Sequence, residues 1–183
     1  HIAAIHTRTL AIQAGERDDP AAIELCTRFI HTYFRAAINA RDVRSAYNVF
    51  NEYRVVAEAL LAQGKDPLVE AIADKFRFYG QLAFSRRLAF ILETAAYDLC
   101  ALLEVAFDAD APCHDALLTT FLELDREPDG NDHQEASLRG VRKAQTKLAV
   151  FYLDRDRPDL ARRIFEDMSH EPAERLRSIR AEI

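Results

Sequence analysis

The sequence predicts an all-α protein: eight or nine antiparallel helices around a central apolar helix at Leu88–Phe107, as a compact bundle or a short superhelix. Three observations predict it. Pro20, Pro67, Pro112, Pro158 and Pro172, five of the six prolines, each open an apolar stretch. Proline suits the first helical turn because its missing N–H would be unpaired there anyway. The apolar residues then recur with a 3.6-residue period. Five glycines in 183 residues, with abundant Ala, Leu, Arg and Glu, favour helix throughout.

The first helix spans about Ile2 to Gly15 on Ile2, Ile5, Leu10 and Ile12. A Glu-Arg-Asp-Asp turn follows, and Asp19 is placed to cap the next helix. That second helix runs from Pro20 to Ile38, with Ile23, Phe29, Ile30, Tyr33, Phe34 and Ile38 as its apolar stripe. The third, Asp42 to Gln63, is the most regular. Val43, Ala46, Tyr47, Phe50, Ala57, Leu60 and Leu61 form one face; Arg44, Asn48, Asn51, Glu52 and Glu58 form a polar one. Gly64 stops it.

Asp66-Pro67 opens a fourth helix to about Tyr79, and Gly80 ends or kinks it. The fifth, Leu82 to Phe107, is apolar nearly all round, which belongs at a centre. The sixth spans Pro112 to Leu124, and Arg126–Asn131 is the clearest loop. Asp132 and Glu135 form a capping-box pattern for a seventh helix ending near Leu153. An eighth covers Pro158–Met168 and a ninth starts at Pro172. The connections are short and no linker interrupts them, so residues 1–183 read as a single all-helical domain.

Composition excludes some functions. A net charge of -6 opposes general affinity for nucleic acid. Cys26, Cys100 and Cys113 have no paired spacing and read as reduced thiols in a cytoplasmic setting. Leu88–Phe107 has the length of a membrane span, but Glu93, Asp98 and Glu104 make it a buried helix instead. The chain opens at His1, which reads as a fragment or processed product.

No catalytic, metal or nucleotide motif stands out, and no cofactor is expected. His114-Asp115 lacks the further ligands that a metal needs. Glu93 and Asp98 are candidate buried acids, with Glu93, Tyr97, Cys100 and Glu104 along one strip. Burial raises a carboxylate pKa unless a cation meets it, and Arg44 or Arg54 could. Asn48 and Asn51 sit inside a helix, where Asn competes for backbone hydrogen bonds. Arg139, Arg142, Lys143 and Lys147 form a basic stripe, without the interleaved aromatics that stack on bases.

Two resemblances follow from particular residues. Leu148, Ala149, Tyr152, Ala161 and Phe165 are similar to the pattern of a tetratricopeptide hairpin, although no 34-residue period is sustained. His1-Ile2-Ala3, Ala37-Ile38-Asn39 and Phe76-Arg77-Phe78-Tyr79-Gly80 come in an order that resembles the soluble region of a bacterial family of predicted membrane proteins, domain of unknown function 2254. That resemblance implies a membrane segment upstream of the chain and carries no activity with it. The family's proline-rich run is here Ile38-Asn39-Ala40-Arg41-Asp42, without proline.

The expectation is therefore a non-catalytic interaction or regulatory module, the cytoplasmic domain of a membrane protein, with a protein partner or a second copy of itself. Its contact surfaces are the polar third-helix face (Arg44, Asn48, Asn51, Glu52) and the stripe Arg139, Arg142, Lys143. The alternative is a small-molecule sensor or enzyme with an interior pocket lined by Tyr47, Asn51, Glu93 and Tyr97.

Overall fold

A computed structural model describes residues 2–86, 88–124 and 135–167. These form eight helices, and no strand occurs among the described residues. They are α1 (Ile2–Glu16), α2 (Pro20–Asn39), α3 (Val43–Ala62), α4 (Asp66–Ser85), α5 (Ala89–Asp108), α6 (His114–Leu122), α7 (Glu135–Asp154) and α8 (Pro158–Asp167). The all-α class read from the sequence is the class found. The ninth helix, the Arg126–Asn131 loop and the Asp132 cap lie outside the described residues.

The helices pair into four hairpins, α1–α2, α3–α4, α5–α6 and α7–α8, each packed on the next. The last residues of α1, α3, α5 and α7 fall 46 residues apart. Asp18, Gly64, Asp110 and Asp156, two residues further on, are also 46 apart, and all have positive φ. In each turn the residue after this one donates its N–H to a carbonyl five residues back: Asp19 to Ala14, Lys65 to Leu60, Ala111 to Ala106, Arg157 to Tyr152. This is the Schellman stop, which satisfies orphan carbonyls at a helix end. The described residues thus repeat a 46-residue hairpin four times.

The odd-numbered helices form one layer: α3 touches α1 and α5, and α5 touches α7. The even-numbered helices form a second layer on one side. Neighbours in the odd layer pack more extensively than α2 and α4 do. The odd-numbered helices, the more extensively packed of the two sets, are the inner layer of the stack.

Ion pairs repeat with the hairpins. Arg8 in α1 pairs with Glu52 in α3 at 3.1 Å, and Arg54 in α3 pairs with Asp98 in α5 at 2.9 Å. The arginines are 46 residues apart and so are the acids. Between α2, α3 and α4 lies an aromatic core of Phe34, Phe50, Tyr53, Phe76 and Tyr79, all fully buried. Tyr53 donates to the Thr27 carbonyl at 3.0 Å, and Tyr79 bonds His31.

Several boundaries differ from the sequence reading. The fourth helix continues through Gly80 to Ser85, and the fifth starts at Ala89 instead of Leu82. Gly80 does not end the helix. It is glycine because Leu124 packs onto it: a Cβ there would lie 2.5 Å from Leu124 Cδ2. The sixth helix is shorter than read, and Pro112 lies in the turn ahead of it. Asp19 caps α2 by accepting from the Ala22 N–H at 3.0 Å, as expected. Asp66 instead begins α4 and accepts the Cys113 N–H of the next hairpin at 3.2 Å. No helix among the described residues is long and apolar enough to cross a membrane.

Candidate functional site

The exposed side of the inner layer collects most of the residues singled out in the sequence. Tyr47, Glu93 and Arg139 are 46 residues apart and take the same place in α3, α5 and α7. Asn51, Tyr97 and Lys143, one turn further on, form a second such row. Three helices therefore present two parallel rows across one surface. α5 lies in the middle, held by α3, α4, α6 and α7.

The chemistry changes along the rows. At α3 and α5 the surface is aromatic. Tyr47 is 43% exposed and stacks on Phe90, 54% exposed, with ring centroids 5.5 Å apart and planes 19° from parallel. Tyr97 is 38% exposed. Burial, then the Glu93 carboxylate, pushes its phenol above the usual value, so it is neutral and a hydrogen-bond donor near pH 7. At α7 the surface is basic, with Arg139 and Lys143 exposed and Arg142 half-buried. Lys147 is paired with Glu104 at 2.7 Å, and that bond raises its pKa.

Paired charges hold the surface in place. Arg54 bonds Asp98, Glu58 and Asn51 together. Asp98 is thus the acid met by Arg54, one of the two arginines proposed. Burial raises its pKa, and Arg54 opposes that. Asn48 donates to the Arg44 carbonyl one turn back at 2.9 Å, a bond within its own helix. Gly140 lets α7 approach α5: a Cβ there would meet Glu93 Cβ at 2.5 Å.

Two sequence expectations are corrected. Glu52 is not part of a solvated polar face; it is 2% exposed and paired with Arg8. Its helix turns it toward α1 of the preceding hairpin. Tyr47, Asn51, Glu93 and Tyr97 do not point into the interior: the two tyrosines are exposed, and Asn51 and Glu93 are half-buried. Phe90 was missed because a helix apolar on every side gives no sign of which residue faces out.

Away from this surface, burial pushes the Cys100 and Cys113 thiols up to about 12, so both are protonated near pH 7. Among the described residues no group of three or more His, Cys, Asp or Glu side chains converges as a metal site. No family model, no curated protein and no solved structure matches the chain.

Proposed function

We propose that this chain is a non-catalytic binding module whose inner-layer surface takes a polypeptide segment. The segment lies across α3, α5 and α7. It places apolar side chains against Tyr47, Phe90 and Tyr97 and acidic side chains against Arg139, Arg142 and Lys143. One observation carries this reading: equivalent positions in three successive hairpins form two rows, each with one exposed tyrosine on α3 or α5, Tyr47 or Tyr97, and each ending on an exposed basic residue of α7, Arg139 or Lys143. Exposed aromatics and arginine are the residue types that anchor protein interfaces, and stacked helical hairpins present extended binding surfaces. The resemblance of the N-terminal and Phe76–Gly80 segments extends the proposal to its setting, the cytoplasmic domain of a membrane protein.

A photo-cross-linking amino acid at Tyr97, compared with one at Ala71 on the exposed side of α4, tests the proposal in cells. A protein adduct is expected from position 97 alone. Reversing Arg139 and Lys143 to Glu together should weaken that capture at least tenfold, about 1.4 kcal/mol, without changing the melting temperature. Equal adducts at both positions, or capture that survives the reversal, would overturn the reading.

A further inference from the structure

The outer layer carries a groove between α2 and α4. His31 and Arg35 stand one turn apart on α2, and Lys75 and Tyr79 one turn apart on α4. His31 joins the two helices. Its Nδ1 bonds the buried Tyr79 hydroxyl, and its ring centroid lies 5.4 Å from that of Tyr79 and 5.9 Å from that of Phe78. The bond at one ring nitrogen decides where the proton sits. With Tyr79 donating to Nδ1, the neutral ring keeps its proton on Nε2 and has a further donor. Lys75 and Arg35 lie close enough to act on this ring: after burial, the leading cause, each lowers its pKa. Arg35 also acts on the Tyr79 hydroxyl. The groove lacks acids to match. α2 has none after Glu24, and α4 none after Asp74. Glu24 is bonded to Arg28 at 2.5 Å, and Asp74 to Arg77 at 2.8 Å. Among the described residues neither Arg35 nor Lys75 is paired with an acid. Arg86, just beyond α4, donates to the neutral Asn39 of α2 at 3.0 Å.

Like charges set side by side repel, and a bound anion relieves that repulsion. On a chain of net charge -6, such a cluster does not follow from a generally basic surface. We propose that the groove binds the phosphate group of a phosphate monoester, through His31 Nε2, the Arg35 guanidinium and the Lys75 ammonium. Three donor groups on two helices match the three terminal oxygens of such a group; a carboxylate has only two. Phe78, 49% exposed beside His31, provides an apolar wall for the organic part of the ester. The groove belongs to the even-numbered helices, whereas Tyr47, Tyr97 and Arg139 belong to the odd-numbered ones. The inference therefore does not rest on the binding proposal.

Calorimetric titration of the full 183-residue chain with inorganic phosphate and with phenyl phosphate tests it. Sedimentation with phosphatidylcholine vesicles, with and without phosphatidic acid, is the lipid arm. Phenyl phosphate should bind about 2- to 10-fold more tightly than inorganic phosphate, through ring packing on Phe78. Arg35→Glu with Lys75→Glu should weaken binding about tenfold or more, at a melting temperature that is unchanged or raised, because the repulsion is removed. Arg17→Glu with Arg162→Glu, which alters net charge equally at exposed positions elsewhere, should leave binding unchanged. Binding of phenyl phosphate without vesicle binding identifies a soluble ester as the source. Sedimentation only with phosphatidic acid, lost in the Arg35/Lys75 variant, identifies a lipid headgroup; either supports the inference. No binding in either arm, binding that survives the Arg35/Lys75 reversal, or binding lost equally in the Arg17/Arg162 variant would each overturn it.

Discussion

His114 sits at the seam between the third and fourth hairpins, with its Nε2 2.7 Å from the Tyr152 hydroxyl. Burial, the largest influence, holds its pKa below the ordinary 6.5; Asp115 opposes this, and Arg157 and Arg163 reinforce it. The folded chain therefore favours the neutral ring. That contribution to stability is complete above pH 6.5 and is lost as pH falls through the lower folded value. His31 shifts in the same direction for the same leading cause. Glu52 and Asp98, raised by burial, act with the opposite sign, so the informative quantity is a difference between variants. His114→Gln should lose less stability than the wild type between pH 6.5 and about 5 in urea titrations. Parallel curves would show that the ring's protonation is not coupled to folding. Little of this was legible in the sequence. His114 and Tyr152 are 38 residues apart, and only the packing of α7 on its neighbours joins them. Glu52 was misread for the same reason, since its partner Arg8 belongs to another hairpin.

At the scale of the element, the four Schellman turns are one design used with different residues. The left-handed residue is glycine at Gly64 and aspartate at Asp18, Asp110 and Asp156. A non-glycine residue in that conformation costs roughly 1–2 kcal/mol, less for Asp, whose short polar side chain bonds locally. Asp110→Gly should therefore be neutral or stabilising by up to about 1 kcal/mol. Gly64→Val, where β-branching adds strain although no atom lies within 4 Å, should destabilise by about 1–2 kcal/mol. Thermal melts of the two variants check this, and equal effects would remove the conformational explanation. These turns were the most legible part of the chain. Proline or aspartate after an apolar run marks a boundary locally, without reference to tertiary contacts. The Leu82–Ala89 junction was not legible, because apolar residues continue across it and the break occurs at Arg86 and Leu88.

For the whole molecule, the 46-residue period was hidden. Pro20, Pro112 and Pro158 keep it, but Pro67 is displaced by one residue and the helices share only an amphipathic pattern. A search for the 34-residue tetratricopeptide spacing passes over it. The exposure of Leu10 and Phe29 was hidden too, since both have the spacing of core residues. In such an array each hairpin is stabilised by its own contacts and those of its neighbours. α5 is held by four helices and carries ten buried residues. Amide hydrogen exchange should accordingly be slowest in α5 and in the facing parts of α3 and α4, and faster in α1. Uniform protection from α1 to α5 would indicate one all-or-none unit.

The common register makes the hairpins interchangeable as units. Arg8 and Arg54 hold the same place in α1 and α3, and Glu52 and Asp98 the same place in α3 and α5. Removal of residues 43–88, one full period, would therefore set Arg8 opposite Asp98 and keep an ion pair at the new seam.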